Sequence, residues 1–152
     1  MDVKASLLNS IEEVLDKMAF MFFDEAPPEG PGPEDFGFIT EVDTKGVIVG
    51  KLNILVTEAT ARNIARNLIG IRDEDELYPD TLEDALREFT NLVMGRTMTM
   101  LNPAGPFDMD VPRLVERPAP PEAGLTLLTI DGALDDEPFQ IVLQYQEQQQ
   151  AA

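Results

Sequence analysis

The sequence has no cysteine and no histidine. Without cysteine there is no disulfide, no thiolate nucleophile and no cysteine-based metal site. Without histidine a Ser-His-Asp triad, an imidazole general base and almost every protein zinc site are excluded. Basic residues are scarce too: 11 Lys and Arg stand against 29 Asp and Glu, a net charge of −18. Nucleic-acid binding needs a basic surface to displace counterions, which argues against DNA and RNA as partners and disfavours anionic membranes. So acidic a chain also holds a free phosphate monoester poorly, unless something else supplies positive charge. No apolar run approaches the roughly 18 residues that cross a membrane. The N-terminus reads as a polar amphipathic helix, not a signal peptide. A cytoplasmic protein is the expectation.

What is present is globular. A chain of 152 residues, 43% of them hydrophobic, suits one domain over 1–152 with a real core. Its organising stretch is 80–101, which reads as one long amphipathic helix. Asp80 is placed as N-cap, with Glu83 completing a capping box, and Asn102 and Pro103 end it. At about 100° per residue Leu82, Ala85, Leu86, Phe89, Val93 and Met100 gather on a core side. Asp84, Glu88, Asn91 and Gly95 fall on the opposite side. Asn is a poor helix-interior residue because its side chain competes for backbone hydrogen bonds. A mid-helix Gly costs roughly 1 kcal/mol against Ala. Glu88 and Asn91 are three apart and hence neighbours, and Gly95 lets another backbone come close. On spacing alone, though, a Glu and an Asn on an exposed helix face are ordinary solvated residues.

The rest of the chain is read in order. Residues 6–23 form a helix with Leu7, Ile11, Val14, Leu15, Met18 and Phe22 at helical spacing, broadened by Phe20, Met21 and Phe23. Residues 24–35, rich in Pro and Gly, form a loop with no assigned function. Strands over 36–43 and 46–56 make an antiparallel hairpin with one buried face, turning at 44–46, with Lys51 and Asn53 on the face away from the core. Thr57 caps a helix over 58–69, whose inner face is Ala61, Ile64, Ala65, Leu68 and Ile69, closed by Gly70. The acidic run 72–76 is a solvated connector; the Asp-x-Asp-x-Asp-Gly calcium pattern is absent. Phe107, Met109 and Val111 alternate before Pro112, which suits an edge strand or a strand end. Residues 125–131 and 138–146 form a second hairpin, with Phe139, Ile141, Leu143 and Tyr145 on one face. The tail 147–152 is polar. These elements make an α+β domain, an antiparallel or mixed β-sheet covered by helices.

The run Asp84-x-x-x-Glu88-x-x-Asn91, followed by Pro112, resembles the signature of the CheC/CheX/FliY phosphatases of bacterial chemotaxis. The segments SIEEVLDKMAF and ATARNIARNLIG are similar to what CheX-like domains carry at those places, and the resemblance runs from about residue 6 to about residue 145. A single Glu-x-x-Asn element points to the CheX branch, since CheC-like proteins carry two. The resemblance implies the same α+β architecture with the signature helix exposed. It implies a phosphatase acting on the aspartyl-phosphate of a CheY-type response regulator. Asn91 would orient the attacking water and Glu88 would pair with the regulator's Lys. Asp84 and Gly95 would belong to the partner-binding stripe, Asp84 without an assigned role. No metal would be bound by this chain; the Mg²⁺ would be carried by the phosphorylated regulator. Family members tend to dimerise, which leaves a homodimer open.

Two alternatives stand beside this reading. One is a non-catalytic binding module like the related middle domain of the flagellar switch protein FliM, against which the intact Glu88/Asn91 pair argues. The other is an Mg²⁺ hydrolase using Asp80, Asp84 and Glu88, against which their origin in one element argues.

Overall fold

The computed structural model describes residues 1–19, 21–25, 36–71 and 77–148. The elements are helix α1 (Val3–Val14), a π-helical segment (Leu15–Ala19), β1 (Phe23–Asp24), β2 (Phe38–Lys45), β3 (Ile48–Val56), α2 (Glu58–Ile69), α3 (Pro79–Leu101), β4 (Asp108–Met109), β5 (Arg113–Val115), β6 (Thr126–Leu134) and β7 (Glu137–Glu147). The expected α+β class holds. Among the described residues every strand pair is antiparallel, in one seven-stranded sheet of order β1-β6-β7-β3-β2-β4, with β5 also on β2. Most of the sheet is two hairpins laid side by side. β2–β3 and β6–β7 each pair along their length, and β3 pairs β7 from Ile48↔Glu147 to Val56↔Phe139. The second hairpin turns at Asp135 and Asp136, both at positive φ (47° and 69°). That geometry matches the right-handed twist of the flanking strands, and Asp tolerates it better than most residues.

Local chemistry sets most helix ends. The Thr57 side chain accepts from the Thr60 N–H at 3.2 Å, and Gly70 ends α2 at φ 79°, as its signals imply. The expected capping box on α3 is not formed. The N-cap is Tyr78, which makes no side-chain cap, and Pro79 opens the helix. Proline suits that place because its fixed φ is already helical and its missing N–H needs no partner, and it holds Tyr78 extended. Asp80 therefore lies in the first turn. The N-terminal helix also differs. Asp2 caps it, accepting from the Ala5 N–H, and α-helical geometry stops at Val14. The π-helical turn then breaks the spacing that carried Met18 and Phe22 inward, leaving them 45% and 78% exposed, while Met21 turns into the core. Placement of Phe20 lies outside the described residues, as do 26–35, 72–76 and 149–152.

The core lies between one face of the sheet and the helices. Leu7, Ile11 and Leu15 from α1 and its extension, Ala61, Ile64 and Ala65 from α2, and Phe89, Val93 and Met94 from α3 meet Val42, Leu52, Ile54, Ile141 and Leu143. Ile69 is exposed and Leu68 only half-buried, so the inner face of α2 is covered through Ala65 but not over its last turn.

The other sheet face is not open to water as the hairpin pattern suggested. Asn53 is 1% exposed and Gln144 4%. The Ala119 N–H donates to the Asn53 side-chain oxygen at 3.2 Å. Gln144 donates to the Ala119 and Pro120 carbonyls and accepts from the Glu122 N–H. A proline-rich strap is thus tied across the sheet by two amides, which fill the hydrogen-bonding needs of a segment that cannot make a ladder. Beside it Arg113 bridges Glu41 (2.6 Å) and Asp43 (3.1 Å). Burial pulls the Arg113 pKa down, but the two carboxylates together raise it above its ordinary value. β2 also runs through Thr44 and Lys45, past the expected turn, because β4 pairs with those residues. No helix among the described residues is long and apolar enough to cross a membrane.

Candidate functional site

Three buried hydrophobic positions and two buried hydroxyls fix the rotation of α3. Phe89, Val93 and Met94 are at most 1% exposed. Thr90 and Thr97 are fully buried on the same side, each donating back to the carbonyl one turn earlier, Leu86 and Val93. This back-bonding lets a polar residue sit in a core-facing helix without an orphaned group. The Thr90 hydroxyl also meets that of Thr40 on β2 at 2.5 Å. The buried side is therefore wider than the expected stripe, taking in Thr90, Met94, Thr97 and Met98, while Met100 is only half-buried against Ser10.

With that side turned in, Asp84, Glu88 and Asn91 are exposed and Gly95 is half-buried. Glu88 and Asn91 stand about one helical turn apart on the same exposed face, as neighbours on the helix surface. Asp84 is engaged locally: Arg87 bonds it at 2.7 Å and lies 3.6 Å from Glu83. A Cβ built on Gly95 would meet only the Met109 sulfur, at 3.9 Å. Packing within the described residues therefore leaves room for Ala, and the roughly 1 kcal/mol cost of Gly in a helix is not required by the protein's own interior. Pro112 is buried immediately before β5, the strand that pairs with β2 at the sheet edge. Among the described residues no group of three or more Asp or Glu side chains is arranged to hold a metal ion, and the carboxylates of α3 come from a single helix.

One feature beside the stripe carried no local signal in the sequence. Glu13 on α1 receives both Arg96 from α3 and Lys17 one turn on, the latter at 3.0 Å. The hydrogen bond from Arg96, then that from Lys17, holds the Glu13 carboxyl below its ordinary value, against a smaller opposing effect of burial. Because the folded value is depressed, this clasp stabilises the fold above the carboxylate range of the unfolded chain. Its contribution is lost as pH falls through the folded value. In Arg96→Ala the Glu13 titration midpoint, followed by carbon-detected NMR of the side-chain carboxyl, should rise toward the ordinary value while Lys17 remains its partner. An unmoved midpoint would mean the clasp does not form in solution.

The family described as "Chemotaxis phosphatase CheX" matches residues 38–120, more than half of the chain. No curated protein matches by sequence. Solved structures match over nearly the whole length. A chemotaxis protein CheX from Vibrio vulnificus shares 20% identity, with a TM-score of 0.72 over 96% of this chain and 97% of its own. The CheX–CheY–BeF3–Mg complex from Borrelia burgdorferi shares 20% identity, with a TM-score of 0.73 over 96% and 99%. A CheC-like superfamily protein from Shewanella shares 19%, with a TM-score of 0.74 over 96% and 99%. At such identities these structures speak to the fold.

Proposed function

The chain belongs to the CheX family of chemotaxis phosphatases, and on that premise we propose that it removes phosphate from the aspartyl-phosphate of a CheY-type response regulator. The observation that carries this reading is the exposed pair Glu88 and Asn91, one turn apart on a helix whose opposite side is locked into the core. The Borrelia relative, solved with CheY, BeF3 and Mg, supports the choice of partner.

Hydrolysis of an acyl phosphate needs a water in line with the bond that breaks. Water attacks phosphorus, the phosphorus–oxygen bond to the Asp carboxylate breaks, inorganic phosphate leaves, and a proton passes to solvent. Most of the catalysis is positioning and charge stabilisation. The Asn91 amide both donates and accepts, so it can hold the water by two hydrogen bonds with a lone pair aimed at phosphorus. Glu88 pairs with the regulator's Lys and fixes the register of the two proteins. The Mg²⁺ held by the regulator supplies charge neutralisation at the phosphoryl oxygens. This accounts for a phosphatase with a net charge of −18 and no histidine, since the cations come with the substrate. Gly95 leaves space for the partner's backbone beside Asn91.

Binding of a beryllofluoride-activated regulator tests the docking half of the proposal. Glu88→Ala should raise Kd by about 1–3 kcal/mol, roughly 5- to 150-fold, because the lost ion pair is partly desolvated in the complex. Calorimetric titration of both proteins checks it. Equal affinities for wild type and Glu88→Ala would remove Glu88 from the contact.

A further inference from the structure

A cavity of about 310 Å³ opens between the end of α1 and the flank of α3, lined by Glu13, Val14, Lys17, Met18, Leu92 and Arg96. We propose that this notch is a second docking point for the response regulator, one that takes an apolar side chain flanked by a carboxylate and helps decide which regulator is accepted. The inference rests on the phosphatase reading above and extends it to selectivity.

Position is the first argument. Leu92 follows Asn91 directly, and Arg96 lies roughly 7–8 Å further along the helix axis at about 1.5 Å per residue. A specific interface buries about 800 Å² on each partner, a disc of roughly 16 Å radius. A globular protein that brings a phosphoryl group to Asn91 therefore covers the notch as well. The opposite flank of the stripe is different, since there one cation, Arg87, faces two carboxylates, Asp84 and Glu83, whereas the notch sets two cations against one carboxylate.

Local structure is the second argument. The π-helical turn Leu15–Ala19 contributes Lys17 and Met18 to the lining of the notch, and such turns are frequent at functional sites. Continued α-helical spacing would have put Met18 in the core. The π turn leaves it 45% exposed beside half-buried Leu92. A flexible thioether at the rim of a pocket adapts to differently shaped partners.

Charge is the third. Lys17 and Arg96 flank the notch with Glu13 between them, which leaves this patch locally cationic on a protein of net charge −18. An apolar side chain with a neighbouring carboxylate complements it. Apolar anchors seated in pockets dominate binding energy in many interfaces.

The test is a split between affinity and turnover. Met18→Glu puts a charge at an exposed position, and Lys17→Glu reverses the rim. Each should raise Kd and KM for the regulator about tenfold, while kcat at saturation falls no more than about twofold. Lys17→Glu should also flatten the salt dependence of binding. Leu127→Glu, the same kind of change at an exposed apolar residue on the far face of the sheet, should leave Kd unchanged. Circular dichroism confirms that each variant is folded. Wild-type turnover with unchanged Kd and KM in both notch variants overturns this inference and leaves the phosphatase reading standing. So does a change confined to sedimentation mass, which would make the notch a contact between copies of this chain. If the wild-type protein neither binds nor dephosphorylates any regulator, both proposals fall together.

Discussion

Asn91→Ala should abolish phosphatase turnover while leaving the protein folded and still able to bind an activated regulator. Asn91 is exposed on α3, so its removal touches no core contact and stability should stay within about 0.5 kcal/mol of wild type. The lost amide is the group proposed to hold the attacking water. Loss of a comparable donor aimed at a reacting group costs about 100- to 1,000-fold in kcat, and a loss of that order is expected here. Binding is retained because Glu88 and the rest of the docking surface are intact. Asn91→Asp is the sharper form of the experiment. It is nearly isosteric, but it removes the donor and sets a negative charge beside a phosphoryl group, so it should be about as inactive as the alanine variant. Phosphate release from a phosphorylated regulator checks rate, and titration with the beryllofluoride form checks binding. Near-normal turnover in Asn91→Ala would reduce the stripe to an ordinary solvated helix face.

The second large effect lies on the other side of the same helix. Phe89 is 1% exposed and among the largest fully buried side chains of the protein. α3 packs on α1, on α2 and on β2, so truncation to alanine leaves a void that no single element can collapse to fill. Phe89→Ala should cost about 3–5 kcal/mol, which for a domain of this size lowers Tm by roughly 6–20 °C. Urea denaturation measures it directly, and an effect below about 1 kcal/mol would contradict the packing described. Two residues apart, Phe89 and Asn91 should thus separate cleanly, one reporting on stability and the other on rate.

That separation was legible in the sequence because its causes are local. The 3.6-residue period puts Phe89 and Val93 on one side of α3 and Asp84, Glu88 and Asn91 on the other, and α2 begins at Thr57 and ends at Gly70 for reasons carried by those two residues. What could not be read depends on distant partners. Asp80 and Glu83 spell a capping box, yet Pro79 moves the N-cap two residues back, to Tyr78. Met18 and Phe22 keep helical spacing through a segment that becomes a π turn, with Met21 taking the core position. Asn53 and Gln144 look like solvent-facing strand residues, and are buried because residues 119–122 cross the sheet to meet them. β1 and β5 are too short to show a period, and exist through pairing with β6 and β2; the alternation at 107–111 did mark β4, of which Asp108 and Met109 pair with β2. Glu13 and Arg96, far apart in sequence, meet only because α1 packs on α3. The outer stripe was visible through Asn91 and Gly95, two poor helix formers on an exposed side; the notch beside it required the fold.

The most direct measurement is phosphate loss from purified, phosphorylated CheY-type regulators of the same genome, with Mg²⁺ present and this protein added in less than stoichiometric amount. The account predicts that at least one regulator loses its phosphate many times faster than it does alone, through repeated turnovers of each protein molecule. If no regulator is dephosphorylated faster than its own intrinsic rate, while an activated regulator still binds, then the chain is a binding module and Asn91 orients no water.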